Sequence, residues 1–112
     1  MEIVKLSVRK PTLDAIRRGE VREYAREIRP NTQDKYCDID EEGYVRDIDG
    51  ILQPRKYDAV QFSCGHETFK CKVEKARIEL FEDENHNLIT YNENGEDYYA
   101  AQVVYTLGKE VL

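Results

Sequence analysis

The sequence predicts an α+β, mainly β fold: a small mixed β-barrel of five to six strands with one helix capping it near the N-terminus. Three observations carry that expectation. Apolar residues alternate at period two in five segments spread along the 112-residue chain. Only one segment, beginning at Pro11, has helical spacing together with start and stop signals. The alternation between residues 67 and 82 slips by one position near Lys75, as it does where a bulge bends a strand while keeping its apolar side inward. Bent long strands and mostly antiparallel neighbours suit a small barrel better than a sandwich.

The elements follow in order. Glu2 to Arg9 sets Val4, Leu6 and Val8 against Lys5, Ser7 and Arg9, a half-buried strand. Pro11 suits the first helical position, Leu13 and Ile16 point to the core, and Gly19 supplies a left-handed cap after about two turns. Beyond Gly19 the period returns to two: Val21, Glu23, Ala25 and Glu27 point one way, and Arg22, Tyr24, Arg26 and Ile28 the other, until Pro30.

Residues 31–56 show no clean period and read as an acidic excursion with one short hairpin at Glu42-Gly43. Such a length of irregular chain in a small domain is usually functional or mobile. A strand from Tyr57 to Cys64 turns at Gly65-His66 into the long strand from Glu67 to Glu82. Asp83 to Asn87 and Asn92 to Glu96 carry turn residues, with a short strand from Leu88 to Tyr91 between them. The last strand runs from Tyr98 to Leu107 with Tyr99, Ala101, Val103, Tyr105 and Leu107 inward.

The length fits one domain, 1–112. A 40% apolar and 36% charged composition is that of a globular chain. A net charge of −6 argues against broad affinity for duplex DNA or an anionic membrane, since such binding neutralises many phosphates. The N-terminus has no apolar signal region and no stretch reaches membrane-spanning length, so a cytoplasmic location with no membrane partner is expected. Cys37, Cys64 and Cys71 form an odd set without a CxxC pair, so reduced thiols are expected rather than disulfides.

Charge is distributed unevenly. Residues 1–30 hold eight Lys and Arg against five Asp and Glu, a local +3, so the remainder is −9. Arg22, Tyr24 and Arg26 fall on one strand face, where forked guanidinium groups can hold phosphate or carboxylate and an aromatic ring can stack a base. The competing reading is a solvated face whose arginines pair with neighbouring glutamates. Glu23 would orient an arginine or accept a hydrogen bond from a base; Tyr36 and Tyr57 are candidate pocket walls.

Metal readings are weak. Asp38, Asp40, Glu42, Gly43 and Asp49 approximate a calcium loop, but Arg46 stands at position 9, Asp replaces the bidentate Glu, and no amphipathic helices flank the loop. Cys64, His66 and Cys71, with Cys37 or His86, fit a zinc set only loosely, because Cys64 and Cys71 lie on apolar strand faces. A Cys64–His66 nucleophilic pair flanks a tight turn with nothing nearby to activate the thiol. No metal and no cofactor are expected.

Gly19-Glu20-Val21-Arg22-Glu23-Tyr24-Ala25-Arg26-Glu27-Ile28, after a short helix, resembles the motif of the ASCH domain family of the PUA-like superfamily, in its phage and bacterial variant. Ala25 is an apparent insertion. Tyr57-Asp58-Ala59-Val60-Gln61-Phe62 with Gly65, and the closing Tyr105-Thr106-Leu107-Gly108-Lys109, resemble the family's later strands, so the likeness covers most of the chain except residues 31–56. The resemblance implies a PUA-like barrel whose cleft, between helix and barrel, binds RNA, a nucleotide or a modified nucleoside. Some small members are amidohydrolases acting on an N-acylated cytidine through the motif lysine, a threonine and a distant glutamate. Here Val21 stands at the lysine position (Arg22 if the register slips) and Tyr24 near the threonine position. Arginine stays protonated and is a poor base or nucleophile.

The expected function is therefore binding of single-stranded RNA, a nucleotide or a nucleoside derivative by Arg22, Tyr24, Arg26 and Glu23, leaning away from catalysis. The alternatives are a small hydrolase using Glu23 or Glu74, and an interaction module contacting a basic protein through residues 34–49.

Overall fold

The computed structural model describes all residues, Met1–Leu112. The fold is mixed α+β and mostly strand. In chain order the elements are β1 (Ile3–Ser7), α1 (Lys10–Arg17), β2 (Glu23–Ile28), a 3-10 turn (Pro30–Thr32), α2 (Gln33–Tyr36), β3 (Asp47–Ile48), β4 (Ile51–Leu52), β5 (Ala59–Cys64), β6 (Glu67–Leu80), β7 (Thr90–Glu93), β8 (Glu96–Tyr99) and β9 (Ala101–Glu110). Five strands form one sheet in the order β1-β5-β6-β9-β2, and β3-β4 and β7-β8 are separate two-stranded hairpins. No helix is long and apolar enough to cross a membrane.

The chain divides into two compact units. One comprises Met1–Tyr24, Lys56–Ala76 and Tyr105–Leu112; the other comprises Ala25–Arg55 and Arg77–Val104. In the first, Val4 and Leu6 of β1 are buried, as their alternation requires. β1 pairs in parallel with β5, placing Leu6 opposite Phe62, and β5 pairs antiparallel with β6, placing Phe62 opposite Phe69. α1 packs on β5 and buries Leu13 and Ile16. Pro11 lies in its first turn, and its end is a Schellman cap: Gly19 at φ 73° donates to Ile16 O, and Glu20 donates to Ala15 O, both at 3.0 Å.

In the second unit Ile28, Tyr36, Cys37, Ala101, Val103 and Val104 are buried. Its hairpins turn on Asp49-Gly50 (φ 53° and 82°) and Asn94-Gly95 (φ 53° and 84°), the two consecutive positive values of a type I′ turn.

Several expectations change. Residues 31–56 are not one irregular excursion: the expected turn at Glu42-Gly43 is there, closed by an Ile39–Val45 bridge, but α2 and the β3-β4 hairpin accompany it. The strand expected at Leu88–Tyr91 is β7, two residues later, paired with β8. Tyr99 is 57% exposed rather than inward, because the chain leaves strand geometry at Ala100 and splits the expected final strand in two. In β6 the burial alternation does change phase at Glu74-Lys75, where two successive residues are exposed.

Candidate functional site

A cavity of about 320 Å³ lies wholly within the first unit. The C-terminal end of α1 contributes Ile16 and Arg17, and the segment leading into β2 contributes Gly19, Val21 and Arg22. β6 supplies Phe69 and Cys71, and β9 supplies Leu107, Gly108 and Glu110. The Schellman cap turns the chain from helix to strand at this point. The N–H of Leu107 donates to the carbonyl of Arg22 at 2.8 Å, which fixes the backbone from which the Arg22 side chain leaves.

Most cations of the basic N-terminal segment are already neutralised. Lys10 lies 2.7 Å from Glu67 and 3.1 Å from Asp14, and Arg17 lies 3.2 Å from Glu67. Arg18 pairs with Glu20 at 2.8 Å, and Arg29 lies 3.0 Å from Glu27 and 3.4 Å from Glu93. The hydrogen bonds from Lys10 and Arg17 hold the Glu67 carboxyl below the usual carboxylate range. Arg26 is half-buried on the side of β2 that also carries Tyr24 and Ile28, and its side chain too is engaged. Lys5, Arg9 and Arg22 remain exposed and without a carboxylate partner, and of these Arg22 alone lines the cavity.

Each predicted site residue has a definite place. Arg22 is on the cavity wall. Tyr24, two residues further along the chain, packs edge-on against Phe62, with ring centroids 5.1 Å apart and planes at 83°, so it buttresses the core. Arg26 does not line this cavity. Glu23 is exposed on the opposite side of β2, 3.5 Å from the Thr106 hydroxyl. Tyr36 is buried at 3% exposure and Tyr57 is half-buried, and neither lines this cavity.

Glu74 was a weak candidate from sequence and proves to be close by: its side chain covers Gly108, where an added Cβ would collide with the carboxylate. Gly108→Ala should therefore displace the Glu74 carboxylate from the cavity margin with little loss of stability, because the obstructing group is the flexible end of a side chain. A shift of Glu74 side-chain resonances with an unchanged melting transition is the expected result.

Sequence reasoning missed Arg17, Phe69, Cys71, Leu107 and Glu110 as lining residues. The cue that was present is the glycine at 108 within an otherwise regular strand, which marks close approach by another group.

The wall carries two guanidinium groups, one carboxylate and one thiol. Cys71 is the only thiol on the wall; burial pushes it up to about 11, so it stays protonated at neutral pH and is no nucleophile. Val21 presents an aliphatic side chain. No group of three or more His, Cys, Asp or Glu side chains is placed to hold a metal ion. In the acidic loop the carboxylates serve the backbone instead: Asp40 accepts the amides of Glu42 (2.9 Å) and Tyr44 (3.0 Å), and Asp47 accepts that of Gly50 at 2.7 Å.

No family model, curated protein or solved structure matches this chain. The first unit carries eleven Lys and Arg against eight Asp and Glu, a net +3, and the second carries six against fifteen, a net −9. The cavity with the unpaired arginine lies in the positive unit.

Proposed function

We infer that this protein is an ASCH-like, PUA-like barrel domain that binds a nucleotide, a nucleoside derivative or a short single-stranded RNA segment, with Arg22 holding the anionic group. The observation that carries the reading is the unpaired Arg22 guanidinium on the wall of a cavity in a net-positive unit. A protonated fork without an internal carboxylate is available for bidentate contact with phosphate. A locally positive, globally acidic chain suits a mononucleotide or single strand better than a duplex. The resemblance of residues 19–28 to the family motif supports the same assignment, and Val21 at the lysine position favours binding over amidohydrolysis.

Titration with a nucleoside monophosphate and with a short single-stranded RNA at low salt tests it. Arg22→Ala should weaken binding about tenfold, the scale of one hydrogen bond to a charged group. For RNA it should also reduce the slope of log K against log salt by about 0.7. Unchanged affinity and slope would remove the proposal. Glu67→Gln should act in the opposite direction, strengthening binding severalfold, because it releases Arg17 on the same wall from its main carboxylate partner.

A hydrolase reading retains one supporting observation, the Glu74 carboxylate over Gly108 at the cavity margin. Turnover of an N-acylcytidine that vanishes in Glu74→Gln would establish it in place of simple binding.

A further inference from the structure

The two units each hold a cavity. That of the second unit, about 260 Å³, is walled mostly by aliphatic side chains such as Ile28, Leu52, Ile78 and Leu80. The first cavity instead carries two opposite charges that the protein leaves unsatisfied. Arg22 and Glu110 both line it, and neither side chain forms an ion pair or a hydrogen bond, with the other or with any neighbour. Arg17 shares the wall but is paired with Glu67 at 3.2 Å. Glu110 is the one carboxylate of the lining.

The fold keeps the two charges apart. β9 lies between β6 and β2 in the sheet. The N–H of Leu107 donates to the Arg22 carbonyl at 2.8 Å, so Arg22 sits beside Leu107 on one flank of β9. The N–H of Val111 donates to the Lys70 carbonyl at 2.8 Å, so the last residues of β9 lie against β6, where Cys71 shares the cavity wall with Glu110. Leu107 and Glu110 are separated by about 10 Å along an extended strand. Ile16, Val21, Phe69 and Leu107 supply the apolar part of the wall.

These charges select the ligand. A simple anion would be held by Arg22 and repelled by Glu110, and a simple cation the reverse. An α-amino acid has both signs, but too close together for groups that enter the cavity so far apart. A ligand with an anion at one end and N–H donors at the other satisfies both. An ionised carboxylate only accepts, and it can accept two parallel N–H bonds. Among the common nucleobases guanine alone offers two adjacent donors on one edge, N1–H and the 2-amino group. Adenine and cytosine set an acceptor nitrogen beside their amino group, and uracil sets its single N–H between two carbonyls. A volume of about 320 Å³ suits one nucleotide rather than a strand. We propose that this cavity selects a guanine nucleotide, with Arg22 on the phosphate and Glu110 accepting from N1–H and the 2-amino group. The proposal rests on the nucleotide reading of the cavity and adds the identity of the base.

Titration of the full chain with the 5′-monophosphates of guanosine, inosine and adenosine, by calorimetry at low salt, tests it. Inosine lacks only the 2-amino group, so its nucleotide should bind about tenfold more weakly, the scale of one hydrogen bond to a charged group. The adenosine nucleotide should bind more weakly still, because adenine N1 turns a lone pair toward the carboxylate. Glu110→Gln supplies a donor beside an acceptor. It should weaken the guanosine nucleotide about tenfold and strengthen the adenosine nucleotide, so that the preference is lost. Glu110 is exposed, so the buried core is untouched. Arg22→Ala should weaken the guanosine and inosine nucleotides by the same factor and leave their ratio unaltered. Binding of none of the three would overturn both the base assignment and the nucleotide reading on which it rests. Equal binding of all three, or a guanine preference that survives in Glu110→Gln, would overturn the base assignment alone.

Discussion

Replacing Phe62 with alanine should destabilise the protein by about 3–5 kcal/mol, the range for truncating a buried aromatic side chain. Phe62 is fully buried, lies opposite Leu6 on one neighbouring strand and Phe69 on the other, and carries the Tyr24 ring edge-on at 5.1 Å. Loss on this scale is a large part of the stability of a small domain. The edge-on pair itself is worth about 0.5–1.5 kcal/mol beyond its buried area. A double-mutant cycle with Phe62→Leu and Tyr24→Leu, read by urea unfolding, should return a coupling of that size. Additivity within about 0.3 kcal/mol would show that Tyr24 is not supported by the core. The result matters for the site, because Tyr24 lies two residues from Arg22. If the pair is intact, the start of β2 is anchored and Arg22 leaves a fixed backbone.

Much of the first unit was legible because its signals are local. The alternation of Val4 and Leu6, the proline in the first turn of α1, the Gly19 cap and the turn at Gly65 each depend on a few adjacent residues. The second unit was harder to read. β3 and β4 have two residues each, too few for a period, and Ile48 and Ile51 are exposed, so hydrophobicity there does not report burial. The dipeptides Asp49-Gly50 and Asn94-Gly95 were the better signal for both hairpins.

The site divides in the same way. Composition pointed to the basic N-terminal segment, but it could not separate Arg22 from its neighbours. That separation depends on Glu67, 57 and 50 residues from Lys10 and Arg17 in the chain, and on Glu93, 64 residues from Arg29. Arg26 shares the strand face of Arg22 by alternation, yet its half-burial beside Ile28 follows from packing that periodicity cannot express when both strand faces carry charges. The opposite signs of the two units likewise emerge only when segments far apart in sequence are grouped by contact. Arginine enrichment thus marked the region, and tertiary ion pairs selected the residue.

Raising the pH above about 9 should destabilise the fold through two thiols, one in each unit. Cys37 and Cys71 are 3% and 1% exposed, and burial pushes both up to about 11 from an ordinary value near 9.0, with the Asp34 charge adding to the effect at Cys37. Between those limits the unfolded chain releases both protons and the folded chain keeps them. The stabilisation is therefore complete below about pH 9 and is lost as the pH rises through about 11, by about 2–3 kcal/mol per thiol. Urea unfolding of the wild type across this range should show a steep alkaline decline. Cys37→Ala with Cys71→Ala should start lower, because small cavities are opened, but decline less. Equal declines would assign the alkaline loss to other groups. Native thiol labelling gives a second measurement: Cys64, half-buried, should react first, and Cys37 and Cys71 only on the timescale of unfolding. Fast labelling of Cys71 in the folded protein would mean that the wall of the first cavity opens to solvent, and a nucleophilic role for that thiol would then have to be reconsidered.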